Sequence, residues 1–569
     1  MTDSKGSEGE TAADDGAGST VGDMAMTENK GRLELTWSNK DRALLSREDG
    51  SYEWVPKRDH RVAEVRLLRD AGSVGEVHEQ AERAKDNLLI RGDALNALTA
   101  LTSSPEFSNE YAGKVKLAYI DPPFNTGQAF EHYDDGLEHS VWLTMMRDRL
   151  MQIKELLSLD GSVWVHLDDA EMAYCRVLLD EIFGRENFVA MVVWEKADSP
   201  RNSARQFSTD HDYILIFGKS SDWTPNRMPR TAESDSIYRN PDNDPRGEWN
   251  DVDPFAGKSY SLGQYEIEGP TGCVFAPPPG KFWRISEAKF WELDGEGRIW
   301  WGNNRDARPS IKSYLSEVSD LVPRTLWRHA DVGSNRTSKS ELRKLFSGQV
   351  TFDTPKPERL MERIIQIGSN EGDVVLDCFA GSGTTAAVAH KMNRRWITVE
   401  LEGETIDTFT APRLKKVVDG SDQGGITESV GWSGHGGFRV LDVSPSIFDE
   451  DEGVVVLADW VTKHALAEAV AAQLGFAYEV DQPFCGKHGR VRLAVIDGHA
   501  DEATVRLLVK SLGKGEKLSL CATSLDPEAA ALLAKLKRGS QARVVPQDIL
   551  LSYRTPSAWR VSVAREDES

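Results

Sequence analysis

Cysteine is scarce in this sequence: five of 569 residues, Cys175, Cys273, Cys378, Cys485 and Cys521, all far apart. Without Cys-x-x-Cys pairs or dense spacing, neither a zinc site nor a disulfide framework is indicated, so no metal is expected and the thiols read as reduced and structural. Apolar runs long enough to cross a bilayer are lacking too, and the chain opens on acidic and small residues rather than on a basic, then apolar, signal. Both absences point to a cytoplasmic protein with no membrane partner. A phosphate-binding P-loop is missing as well: Gly218-Lys219-Ser220 and Gly257-Lys258-Ser259 have Tyr213 and Val252 where the leading glycine belongs. Positive charge is in deficit, 68 Lys and Arg against 91 Asp and Glu for a formal net charge of −23. On its face this argues against a nucleic-acid partner. Net charge is not distribution, however. Part of the excess lies in residues 1–31, an acidic stretch of Gly and Ser without apolar period that reads as a disordered tail. Basic residues gather at Lys57, Arg58, Arg61, Arg66 and Arg69 and again between Arg324 and Lys344, runs that read equally well as solvated faces.

What is present is the composition of a folded protein, 39% hydrophobic and 28% charged, on a chain too long for one ordinary core. After an N-terminal extension (32–85), an α/β rhythm begins. Strands are expected at Leu88–Ile90, Val115–Ile120, Ser162–Leu167 after a break at Gly161, Phe188–Trp194 and His211–Phe217. Helical spacing links Trp142, Met145, Met146, Leu150, Ile153 and Leu157, and again residues 170–183. The rhythm stops over 223–345, where Gly, Pro, Asn, Trp and Arg accumulate, and resumes over 346–420 with the strand Val374–Asp377, a Gly-rich turn, a helix over Ala386–Lys391 and the strand Trp396–Glu400. Residues 421–447, rich in Gly and Ser, read as a linker to a C-terminal α/β module over 448–569 whose role no motif reveals. Strands alternating with helices imply a largely parallel sheet covered on both faces.

Two loops carry chemistry. In Asp377-Cys378-Phe379-Ala380-Gly381-Ser382-Gly383-Thr384-Thr385, between strand and helix, the glycines let backbone approach a ligand. Glu400, at the end of the next strand, is placed to take ribose hydroxyls. A nucleoside cofactor fits, although tight strand-to-helix turns also use glycine for structure alone. The second loop, Asp121-Pro122-Pro123-Phe124-Asn125-Thr126-Gly127, ends a strand. An aromatic amine has a delocalised lone pair, so its attack on a sulfonium methyl is helped by fixed acceptors for its N–H groups, which Asp121 and the Pro122 carbonyl supply. The prolines stiffen the loop, and Phe124 offers a face for an extruded base. Three further features read more simply. His166 is a strand residue near the site rather than a base, Asp168-Asp169 an N-cap rather than a metal site, and the tryptophans of the irregular segment (Trp249, Trp283, Trp291, Trp300, Trp301, Trp327) pack a small domain.

These loops in this order resemble the DNA amino-methyltransferases of the permuted, beta-class arrangement: catalytic loop first, target-recognition region next, cofactor loop last. Gly161–Asp169, Asp180–Gly184, Asn240–Gly247 and Phe352–Pro357 extend the resemblance to the modification subunit of type III restriction systems, over roughly residues 86–440. It implies a Rossmann-like S-adenosylmethionine-dependent methyltransferase fold in two halves (86–222 catalytic, 346–420 cofactor-binding) around a target-recognition insertion (223–345). By position, Asp121, Pro122, Pro123 and Phe124 would be catalytic. Asp377, Phe379, Ala380, Gly381 and Gly383 would line S-adenosylmethionine, Glu400 would hold its ribose, and Asp93, Thr354 and Lys356 would be further pocket residues. The implied reaction is N6 methylation of adenine in double-stranded DNA after base flipping. N4-cytosine methylation and a non-catalytic DNA-recognition subunit are the alternatives. Implied partners are a second copy of the chain and a restriction (helicase-nuclease) subunit. Two positions depart from the pattern: Phe124 stands where tyrosine is more usual, dropping a hydroxyl, and Cys378 where proline is usual.

Overall fold

Strands buried on both faces dominate the centre of the molecule, as a sheet covered by helices on either side requires. The computed structural model describes residues 33–46, 52–57, 59–125, 138–200, 205–346, 352–451 and 454–548. The acidic tail expected over residues 1–31 lies outside them. In chain order the main sheet is built from β1 (Leu68–Gly75), β2 (Asn87–Arg91), β3 (Val115–Ile120), β4 (Leu157–Leu167), β5 (Phe188–Glu195), β6 (His211–Gly218), β7 (Leu326–Trp327), β8 (Val374–Asp377), β9 (Arg395–Glu400) and β10 (Gly437–Val443). Its order is β7-β5-β6-β4-β3-β8-β9-β2-β10-β1, with every strand parallel except β6 and β1.

Alternate side chains feed two cores, as the period of two demands. Leu88, Ile90, Ala118, Ile120, Val163, Val165 and Leu376 pack beneath the helices α1 (Ala94–Ser103), α2 (His139–Leu156) and α3 (Met172–Phe183). Leu89, Leu117, Tyr119, Trp164 and Val375 pack beneath α4 (Glu358–Gly368), α5 (Thr384–Lys391) and α6 (Ala411–Val418). The result is the three-layer α/β/α arrangement of a Rossmann-like fold. From β3 the chain moves to β4 on one side; from β8, the next strand over, it moves to β9 on the other. This divergence opens a crevice at the C-terminal ends of β3 and β8, where doubly wound sheets hold ligands.

Three expectations are corrected. The stretch 421–447 is not a plain linker, because Gly437–Val443 forms β10 and pairs with both β2 and β1. Its glycine serves close backbone approach: a Cβ on Gly437 would lie 2.4 Å from the Glu76 carbonyl oxygen. Gly161 is not what ends the helical run, which stops at Leu156; β4 runs through the glycine, pairing with β3 at Leu157 and, after a register shift, again from Ser162. Asp168 does not cap α3, which starts at Met172 with Glu171 in the cap position. Its carboxylate instead accepts from Ala170 N (2.8 Å) within the turn, and Asp169 accepts from the Tyr213 hydroxyl (2.9 Å).

The irregular segment holds a small sheet of Trp249–Val252, Ile299–Trp300 and Ser310–Tyr314 and a core of Phe255, Trp283, Phe290 and Trp301. Trp249 and Trp327 are buried too, whereas Trp291 is exposed. Within Asn240–Gly247 the buried Asp244 accepts from Arg246, Lys312 and Tyr314, which hold its carboxyl well below the usual range. The loop is thus tied into a knot. A second, five-stranded sheet (Ala477–Asp481, Phe484–His488, Val491–Ala500, Lys517–Leu525, Gln541–Val544) forms the C-terminal unit with three helices. Among the described residues no helix is long and apolar enough to cross a membrane, and no cluster of His, Cys, Asp or Glu is arranged to hold a metal ion.

Candidate active site

Both motif loops leave the C-terminal ends of the adjacent central strands, so residues about 250 positions apart in the chain become neighbours. The loop after β3 is held by rigid contacts. Pro122 is buried, the Pro123 carbonyl accepts from the buried Trp142 indole (2.7 Å), and the Phe124 ring stacks on His166 with centroids 5.8 Å apart and planes 24° off parallel. His166 is itself fixed: Tyr119 Oη lies 2.9 Å from its Nδ1, Asp212 3.4 Å from its Nε2, and the Trp194 ring meets its edge. Lys196 closes the chain on Asp212 (2.6 Å). Burial and the charges of Asp121, Asp377 and Asp212 push the Tyr119 hydroxyl well above its ordinary range, so that proton stays put.

The loop after β8 is held by hydrogen bonds to its backbone. Glu400, half-buried at the end of β9, accepts from Gly381 N (2.7 Å), Leu401 N (2.9 Å) and Glu402 N (3.1 Å). Burial nonetheless raises its carboxyl above the usual carboxylate range. The Thr410 hydroxyl donates to the Gly381 carbonyl (2.7 Å), and Ala380 N donates to Val399 (3.0 Å). Gly383, with φ of 74°, starts α5 in the left-handed region, and a Cβ there would stand 2.9 Å from Thr410 Cγ2. Only glycine suits that position without strain. Asp377 is fully buried and accepts from Phe379 N (3.0 Å). Burial pushes its carboxyl up to about 7, against its bonds from Thr385 and Phe379, and the nearby Asp121 and Glu400 carboxylates push the same way.

The remaining expected residues join these loops. Asp93 caps α1, accepting from Leu95 N (2.8 Å), and pairs with the buried Arg149 (2.7 Å), whose guanidinium lies 5.9 Å from the Phe379 ring centre. Lys356 reaches the other loop: its ammonium pairs with Asp121 Oδ2 and stands 5.3 Å from the Phe124 ring centre. Asp121 Oδ1 is buried and, among the described residues, has no hydrogen-bond partner. Thr354 lies half-buried two residues earlier. Sequence reading missed Tyr119, Trp142, Arg149, Glu171 and Thr410. Arg149 carried a usable signal, a charge seven residues from Trp142 and so on the same apolar helix face. Glu171 is buried and holds Asn125 Nδ2 (2.7 Å) and His139 Nδ1 (2.8 Å), bracing the loop after β3 from a position no local pattern marks. The first basic run is partly occupied, with Arg61 paired to Asp59 and Arg69 over Trp460, and Arg58 lies outside the described residues. In the second run Arg324, Arg328, Arg336, Arg343 and Lys344 are exposed.

A family model described as "DNA methylase" matches residues 115–411. The chain is 30% identical over 461 residues to the "Probable type III restriction-modification enzyme HindVI Mod subunit" of Haemophilus influenzae, covering 68% of this chain and 57% of that protein. It is 31% identical over 339 residues to the "Type III restriction-modification enzyme StyLTI Mod subunit" of Salmonella typhimurium, covering 54% and 50%. The chain therefore spans 57% and 50% of the length of these two relatives. Among solved structures, the PvuII DNA methyltransferase (cytosine-N4-specific) aligns over 63% of this chain and 94% of its own, at 16% identity and a TM-score of 0.32.

Proposed function

The chain belongs to the DNA methylase family, and we propose that it transfers a methyl group from S-adenosylmethionine to N6 of adenine in double-stranded DNA, as the modification subunit of a restriction-modification or phage-defence system. One observation carries this reading. A buried acceptor on Asp121, unpartnered among the described residues and three residues from the Phe124 ring in the same loop, lies near the carboxylates Asp377 and Glu400, which suit a cationic, hydroxyl-bearing ligand. Asp377, whose carboxyl is raised by burial and by the charges of Asp121 and Glu400, favours bound positive charge nearby, which S-adenosylmethionine brings as a methylated sulfonium.

In this reading Glu400 accepts from ribose hydroxyls, and Asp377, Phe379, Ala380, Gly381 and Gly383 line the cofactor beside Asp93 and Thr354. Asp121 accepts an N–H of the target amine, with the Pro122 carbonyl as the second acceptor, and aims its lone pair at the methyl carbon. Phe124 takes the flipped base on the face that His166 does not cover. His166 serves as backing for that ring, since both its nitrogens face the partners Tyr119 and Asp212. The amine proton leaves to water after transfer. The segment 223–345 reads the duplex, and the exposed Arg324, Arg328, Arg336, Arg343 and Lys344 supply phosphate contacts. A second copy of the chain and a restriction subunit are the partners that accompany this role.

Long-read modification mapping of DNA from a methylation-free host expressing the chain tests the reading. Methyladenine at one sequence motif, lost with Asp121→Ala, is the expected result. Methylcytosine at N4 would reassign the base, and an unmodified genome with both proteins would overturn the reading.

A further inference from the structure

We propose that Lys356 keeps the acceptor Asp121 charged and oriented for the target amine, a role that rests on the amino-methylation reading above. Lys356 lies between Pro355 and Pro357, whose fixed φ stiffens the segment that carries it. Its side chain is 9% exposed, and its ammonium pairs with Asp121 Oδ2 while standing 5.3 Å from the Phe124 ring centre. The two oxygens of Asp121 are thereby distinguished. Oδ2 is taken by Lys356, whereas Oδ1 is buried with no donor among the described residues. A buried acceptor without a donor is a deficit that an incoming N–H corrects. The target amine, stacked through its ring on Phe124, supplies that N–H.

The pairing also governs charge. The ammonium of Lys356 lies directly on one oxygen of a carboxylate whose side chain is 20% exposed, and a cation so placed favours the charged form of its partner. Among the described residues the groups that face Asp121 are Tyr119 from its own strand, Asp377 from β8 and Lys356 from the segment before α4, with His166 and Asp212 behind Tyr119. The first two are acids, and Lys356 is the cation. When the nitrogen–methyl bond forms, the carbon–sulfur electron pair stays on sulfur and positive charge collects on the amine, which then loses its proton to water. An ionised Asp121 favours that charge, and a protonated one does not. Lys356 touches the acceptor rather than the reacting atoms, so it is a positioning residue. It sits with the catalytic loop, where the resemblance had assigned it to the cofactor pocket.

The test is single-turnover methyl transfer to duplex DNA from pH 5 to 9 at saturating S-adenosylmethionine, alongside cofactor binding, for the wild type, Lys356→Met and Lys356→Arg. Lys356→Met is expected to bind cofactor within about twofold of the wild type, to lose roughly 100-fold in transfer rate, and to move the acidic limb of the rate profile up by at least about one pH unit. Lys356→Arg, which keeps the charge, is expected to hold the wild-type limb. Saturating S-adenosylmethionine at every pH keeps the titration of Asp377, which acts on cofactor binding, out of the rate comparison. A cofactor affinity that falls as far as the rate with an unmoved limb makes Lys356 a cofactor contact and overturns the proposal, as does an unchanged rate in Lys356→Met. If Lys356→Met does not fold, a shifted limb in Lys356→Arg overturns it. No transfer by the wild type would instead sink the amino-methylation reading.

Discussion

The two loops that meet at the centre of the sheet are held by opposite means. The loop after β3 is stiffened from within by Pro122 and Pro123 and buttressed from behind by Trp142 and His166. The loop after β8 is held from outside, through backbone groups that Glu400 and Thr410 bind, and it follows that path because Gly383 takes a left-handed conformation with no room for a Cβ. The contrast matches the tasks proposed for the two loops. A group that must present one carboxylate and one ring needs side chains fixed in place. A loop that must lie close against a ligand needs bare backbone.

The largest effect on this contrast is expected from Gly383→Ala. Left-handed backbone with a β-carbon and the 2.9 Å approach to Thr410 together lower stability by about 2 kcal/mol and weaken cofactor binding, read by denaturant unfolding and calorimetry. Adding Thr410→Ser removes the crowding methyl while keeping the hydroxyl on Gly381, so the double variant recovers part of the loss. A Gly383→Ala protein with wild-type stability would show that the glycine is not required. Next comes Trp142→Phe, which removes the donor to the Pro123 carbonyl. Transfer is expected to fall roughly tenfold, since about 1–1.5 kcal/mol of positioning is lost, with cofactor affinity unchanged. Equal loss of both would mean that the two loops are not independently held.

The smallest effect is a pH dependence. Asp377 is pushed up to about 7, so it gains charge as pH rises through 7, and a cationic cofactor binds the charged form better. Affinity is therefore expected to rise between pH 6 and pH 8 by up to about tenfold. Asp377→Asn flattens that rise, and a slope that survives the substitution assigns it to another group.

Both loops were legible in the sequence because each is local: a run of prolines or glycines ending an apolar strand says where the chain must turn and what its backbone can approach. Their juxtaposition was legible only through the resemblance, since strand order is set by contacts between distant segments. Lys356 shows the limit most sharply. Its neighbours in sequence mark it as part of a stiff turn, but its partner Asp121 is 235 residues away. Gly437 shows the opposite failure, since a Gly- and Ser-rich composition reads as a linker whether glycine provides flexibility or, as in β10, allows two backbones to touch. His166 was read as a strand residue near the site, and its neighbours Tyr119, Asp212 and Phe124 all come from other strands or loops.

The central claim is that Asp121 and the carboxylate-lined glycine loop serve one methyl transfer. Incubating the purified chain with methyl-labelled S-adenosylmethionine and duplex DNA, then digesting the DNA to nucleosides, tests it most directly. Label is expected in N6-methyladenine with the wild type and in no nucleoside with Asp121→Ala, although that variant still binds the cofactor. Undiminished transfer by Asp121→Ala would contradict it.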